Sequence, residues 1–117
     1  YIVIKHRNHI ETWSQVTSFS GGTVNYNFTD VISKAWGNNM VIAGSVFCIY
    51  GGDANRDQYV DGIDLAFTFN NNRLGSFGYQ LPDINGDGFV DGLDLARVFN
   101  NNRKGVGMNT PIAPLKK

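Results

Sequence analysis

The segment Asp53-Ala54-Asn55-Arg56-Asp57-Gln58-Tyr59-Val60-Asp61-Gly62-Ile63-Asp64 decides how the chain is read, because it returns as Asp83-Ile84-Asn85-Gly86-Asp87-Gly88-Phe89-Val90-Asp91-Gly92-Leu93-Asp94. The identities extend past the loops through Leu65, Ala66, Phe69, Asn70, Asn71, Asn72, Arg73 and Gly75, each repeated 30 residues later. Such density marks an internal duplication of one structural unit. Each copy is a polar loop followed by apolar residues three apart: Ile63, Ala66 and Phe69 in the first, Leu93, Ala96 and Phe99 in the second. That spacing suits one face of a short helix. The asparagine triplets are weak helix formers, and Gly75 and Gly105 follow, so each helix is expected to end there.

The loops carry oxygen donors at a spacing that has a chemical meaning. Calcium takes about six to eight oxygen ligands, and a twelve-residue loop supplies them from positions 1, 3, 5, 7, 9 and 12. Counted from Asp53, these are Asp53, Asn55, Asp57, the main-chain carbonyl of Tyr59, Asp61 directly or through water, and Asp64. Counted from Asp83, they are Asp83, Asn85, Asp87, the carbonyl of Phe89, Asp91 and Asp94. Eight of the ten acidic residues lie in these loops, only Glu11 and Asp30 falling elsewhere. Carboxylates so crowded repel one another unless a divalent ion neutralises them, which points to two calcium ions, one per loop. Val60 and Val90, at position 8, are expected to pair the two loops through main-chain hydrogen bonds.

Three features depart from the usual EF-hand. Position 12 holds aspartate, not glutamate. Position 6, where a sharp turn favours glycine, is Gly88 in the second loop but Gln58 in the first; a left-handed Gln58 costs roughly 1–2 kcal/mol. No helix-like segment precedes either loop, since 47–50 reads as a strand and Leu81-Pro82 does not belong inside a helix.

A loop plus one exiting helix, duplicated, resembles the type I dockerin family, calcium-binding modules of secreted bacterial proteins that dock onto cohesin domains. The resemblance covers residues 51–105. It implies a compact pair of loop-helix units about a pseudo-twofold axis with two bound calcium ions. Dockerins usually read their partners with small polar residues at loop positions 10 and 11, where this chain has Gly62-Ile63 and Gly92-Leu93. An apolar pair there serves either the module's own core or a different partner.

Working outward, Gly51-Gly52 marks a boundary, and residues 1–50 read as short strands between turns. Expected strands are 1–5, 10–16, 23–29, 40–43 and 45–50, the third with Val24, Tyr26 and Phe28 alternating against Asn25 and Asn27. Four or five strands are few for a closed sandwich, which leaves an exposed edge. The expected class is α+β: a small β-sandwich or sheet (1–50), a two-calcium module (51–107) and an extended tail (108–117). The strand half looks like segments that precede such repeats in secreted bacterial surface proteins. A start at Tyr1 suggests a processed protein or a piece of a longer one.

Other features bound the function. Zero formal net charge without a basic run argues against nucleic acid, and no stretch approaches a bilayer-spanning length. Cys48, the single cysteine, reads as a small buried hydrophobe. His6 and His9, three apart on a strand, would face opposite ways, so a shared zinc site would need a bend and further ligands. Trp13, Trp36 and Tyr26 offer either core or a sugar-stacking platform. Asn27-Phe28-Thr29 matches a glycosylation sequon, which a bacterial chain would leave unused. There is no nucleophile-base pair, so the expectation is no enzyme. The expected role is an extracellular docking or anchoring module for a cohesin-like protein, with self-assembly into a filament or layer, or carbohydrate binding, as alternatives.

Overall fold

In a computed structural model that describes residues 1–111, the chain is α+β. Strands β1 (Val3–His6) and β2 (His9–Trp13) form an antiparallel hairpin about Arg7-Asn8; β3 (Val41–Ala43) and β4 (Val46–Cys48) form a second about Gly44-Ser45. Helices α1 (Gly62–Leu74) and α2 (Gly92–Lys104) follow and pack together. The strand half takes the form of two separate ribbons rather than stacked sheets.

The segment 23–29 is not a strand. Val24, Tyr26 and Phe28 are half-buried and their neighbours exposed, as the alternation requires, but among the described residues no ladder forms along the segment, which meets β4 through the bond from Phe47 N to Thr29 O (2.9 Å). The Tyr26 hydroxyl instead donates to Lys34 O (2.7 Å) and accepts from Gln15 N (3.2 Å). His6 and His9 also differ from expectation. The strand breaks between them, which makes them cross-strand partners with ring centroids 4.3 Å apart. Trp13 and Trp36 each pack edge-on against Tyr1, while Tyr26 packs at a tilt against Phe28, so the three rings do not make one platform. Cys48 is a free, half-buried thiol.

Both helices start at an aspartate cap. The Asp61 carboxylate accepts from Ile63 N (2.9 Å) while Asp64 accepts from Asp61 N (2.9 Å), a capping box repeated at Asp91 and Asp94. The helices run through the asparagine triplets and stop at left-handed Gly75 and Gly105. The triplets are tolerated because some amides are employed: Asn71 Nδ2 donates to Phe67 O (2.9 Å), and buried Asn101 Nδ2 to Gly51 O (2.7 Å).

Val60 and Val90 do not pair with each other. Val60 N donates to Val106 O (2.9 Å), beyond α2, and Val90 N to Ser76 O (2.9 Å), beyond α1. Each loop therefore pairs with the segment leaving the other helix, the reciprocity expected of twofold-related copies. This also ties down the start of the expected extended tail, where Met108 N donates to Gln58 O (2.9 Å); residues 112–117 lie outside the described residues. One core results, of Ile10, Ala54, Val60, Ile84, Val98 and Val106. Ile10 comes from β2, so the first hairpin contributes to the core beneath the loops.

Candidate metal centre

The two loops bring their carboxylates together in the same way. Asp53, Asp57 and Asp64 present oxygens within 4.8 Å of one another, as do Asp83, Asp87 and Asp94. In each set the first and last aspartates are buried and the middle one is exposed. Main-chain N–H groups hold the buried carboxylates in place: Asp53 accepts from Asp57 N and Gln58 N (both 2.9 Å), and Asp64 from Asn55 N (3.0 Å) and Asp61 N (2.9 Å). In the second loop Asp83 accepts from Gly86, Asp87 and Gly88, and Asp94 from Ile84, Asn85 and Asp91. Asn55 and Asn85 sit beside these sets, their amides 3.2 and 3.4 Å from Asp57 and Asp87.

Dipoles of this kind orient carboxylates without cancelling their charge. At about 5 Å and an effective dielectric near 20, two carboxylates repel by roughly 3 kcal/mol. Burial pushes the Asp53, Asp64 and Asp94 carboxyls above their ordinary range, and neighbouring carboxylates push the same way against the opposing pull of the main-chain N–H groups. A cation in each cluster relieves both effects.

At position 7 each loop bridges to the other half of the duplication. Tyr59 and Gly107 form an antiparallel bridge whose bonds run between the flanking residues, Val60 N to Val106 O and Met108 N to Gln58 O. In such a pair the central residues turn N–H and C=O away from the partner strand. The Tyr59 N–H goes to Asp57 Oδ1 (3.0 Å). Phe89, bridged to Phe77, repeats this with Asp87 (3.0 Å). Asp61 and Asp91 stand apart from the three-carboxylate sets and cap the helices.

The turns place position 4 as well as position 6 in the left-handed region. Gly86 and Gly88 serve in the second loop, whereas the first uses Arg56 (φ 67°) and Gln58 (φ 73°). Strain at Gln58 matches expectation; strain at Arg56 does not follow from the EF-hand pattern, although Gly86 at the equivalent position signals it. Gln58 has a compensating role, since its Oε1 accepts from Glu11 N (2.8 Å).

Arg7 and Asn8 also escape sequence reasoning. The guanidinium of Arg7 donates to Gln80 O (2.6 Å) and Asp83 O (2.8 Å), and buried Asn8 donates to Leu81 O and Asp83 O (both 2.8 Å). These contacts span more than 70 residues of sequence and carry no local signal.

Between the helices lies an apolar groove of about 640 Å³ with no carboxylate in its lining, formed by equivalent pairs: Gly62 with Gly92, Leu65 with Leu95, Ala66 with Ala96 and Phe69 with Phe99. Ile63 and Leu93 are 62% and 68% exposed, so the apolar spacing of three faces outward and not into the core. None of the described helices is long and apolar enough to cross a membrane. No protein-family model, curated protein or solved structure matches the chain.

Proposed function

We propose that the chain is a calcium-stabilised, non-catalytic docking module of an extracellular bacterial protein, its paired helices presenting an apolar face to a protein partner. Two carboxylate clusters of identical construction carry the metal part of this reading. Calcium fits the donors better than a softer metal, because every donor offered is oxygen and neither cluster includes histidine or cysteine. Three carboxylates and the Tyr59 or Phe89 carbonyl, with the Asn55 or Asn85 amide oxygen, leave room for water, through which Asp61 and Asp91 would act. Extracellular calcium would keep both loops ordered, a structural role rather than a signalling one.

Docking is supported by the groove and by the exposure of Ile63, Phe69, Leu74, Leu93 and Phe99 on the helices. Exposed apolar surface of this kind is the composition of a protein contact. Self-assembly is a second reading, favoured by the β3–β4 ribbon. The outer edge of β4 is covered where Phe47 N donates to Thr29 O (2.9 Å), while among the described residues β3 has no strand on its other side and Ile42 is exposed.

The test is calorimetric calcium titration of the chelator-stripped chain, with light scattering on size-exclusion chromatography before and after calcium. Two binding events and a monomer throughout support docking; growth to large species on adding calcium supports assembly; absence of binding overturns the proposal. Each site should add about 2.7 kcal/mol of stability at free calcium a hundred times its dissociation constant.

A further inference from the structure

The first hairpin contributes more than a core residue. Its turn is inserted between the starts of the two loops, and one residue holds both. The main-chain carbonyl of Asn8 accepts from Gly52 N (3.0 Å) and Asp53 N (3.1 Å), at position 1 of the first loop. Its side-chain amide donates to Leu81 O and Asp83 O (both 2.8 Å), at position 1 of the second. The remaining amide oxygen of Asn8 is bonded to His9 Nδ1 (2.8 Å), so the fully buried side chain is engaged at both ends and its position is fixed. Arg7 reinforces the second contact through Asp83 O (2.8 Å) and lies 3.9 Å from Asp83 Oδ2.

From this geometry we infer that Asn8 couples the two ion sites, so that calcium in one loop raises the affinity of the other. The inference rests on the calcium reading above. An ion fixes Asp53 within its loop, Asp53 fixes Asn8 through the bond from its N–H, and Asn8 then holds Asp83 where the second ion needs it. The second ion meets a loop whose first ligand is already ordered, and the effect is reciprocal. Asn8 lies outside the duplicated segment, so the coupling is not a property of the repeat alone. It acts as a positioning residue, through main-chain groups and not as a ligand.

The experiment is a calcium titration of the full chain by calorimetry, with one loop disabled by Asp57→Asn or Asp87→Asn, each in the native and the Asn8→Ala background. Asn8→Ala keeps the carbonyl that receives Asp53 and removes the side-chain bonds to the second loop together with the one to His9 Nδ1. In the native background, disabling either loop should weaken the other about tenfold. In Asn8→Ala that penalty should fall below about twofold. Hydrogen exchange gives a second readout: with loop one disabled by Asp57→Asn, calcium in loop two should slow exchange at Gly52 and Asp53, and Asn8→Ala should abolish the slowing. Should Asn8→Ala fail to fold, Arg7→Met takes its place. It should reduce coupling while strengthening the second site itself, because a cation beside Asp83 is removed.

Equal penalties in both backgrounds, or native sites that bind independently, overturn the coupling. Unchanged exchange at Gly52 and Asp53 does the same. If the native chain takes up no calcium at all, the calcium reading itself fails, a result distinct from intact binding at two independent sites.

Discussion

Thr68 is fully buried within α1, and its hydroxyl has no hydrogen-bond partner, whereas the equivalent position in α2 is the core residue Val98. The duplication thus supplies its own control. Replacing Thr68 by Val keeps the branched shape and the helical χ1 preference while exchanging the hydroxyl for a methyl. An unsatisfied buried hydroxyl costs roughly 1–3 kcal/mol, and the added methyl buries about one carbon, so Thr68→Val should stabilise by about 2 kcal/mol. For a chain of this size the melting temperature should rise by about 8 °C. Because Thr68 is not a proposed ligand, the gain should be the same in chelator and in excess calcium, measured by thermal and urea unfolding followed by circular dichroism. Val98→Thr should lose a similar amount. A neutral or destabilised Thr68→Val would show that the hydroxyl is satisfied in solution and would refute the reasoning.

Arg56→Gly should stabilise the chelated protein by about 0.5–1 kcal/mol in urea unfolding, since relief of left-handed strain exceeds the added freedom of glycine in the unfolded chain. Burial, then the charges of His6, Arg97 and Arg7, lowers the His9 pKa from 6.5 to about 4. The unfolded state therefore binds more protons between these values, and stability should fall as pH drops through that window; His9→Gln should flatten the dependence measured by melting temperature. Exposed Asp57 and buried Asp64 should separate charge from scaffold. Asp57→Asn should weaken calcium binding in calorimetry with little change in the chelated protein's stability. Asp64→Asn should lower both, because an amide has only one oxygen for the two main-chain donors that Asp64 accepts. Equal losses of chelated stability from the two would refute that separation.

What the sequence made legible was local. Asp61 and Asp91 cap helices because an aspartate side chain reaches the N–H groups of the next turn, and Gly75 and Gly105 end them because glycine enters the left-handed region cheaply. The carboxylate spacing led to two clusters for the same reason, since the members of each lie within twelve consecutive residues, a loop and the first turn of its helix. What stayed hidden was partner choice. Val60 carries no mark of Val106 as its neighbour, and the alternation at Val24, Tyr26 and Phe28 reports one-sided burial without saying whether a strand lies alongside. Asn8 reads as an ordinary turn residue, and its bonds to residues 81 and 83 depend on the closure of the whole chain. The outward direction of Ile63, Ala66 and Phe69 was likewise undecided, because apolar spacing defines a helical face without saying what covers it.

Asp64 and Asp94 at position 12 each serve two structures at once. Each closes the capping box of its helix and joins the three-carboxylate cluster of its loop, so ordering the loop and starting the helix are one event. The helix then ends by sending the chain to pair beside the opposite loop, through Ser76 to Val90 and through Val106 to Val60. Neither loop-helix unit is complete without the other, and Asn8 ties the start of each loop to the first hairpin. With these ties converging on one small core, the hairpin and the two loops should unfold as a single cooperative unit. A separate early transition for residues 1–14 would mean that the bonds of Asn8 and Arg7 to the second loop are too weak to bind the elements together.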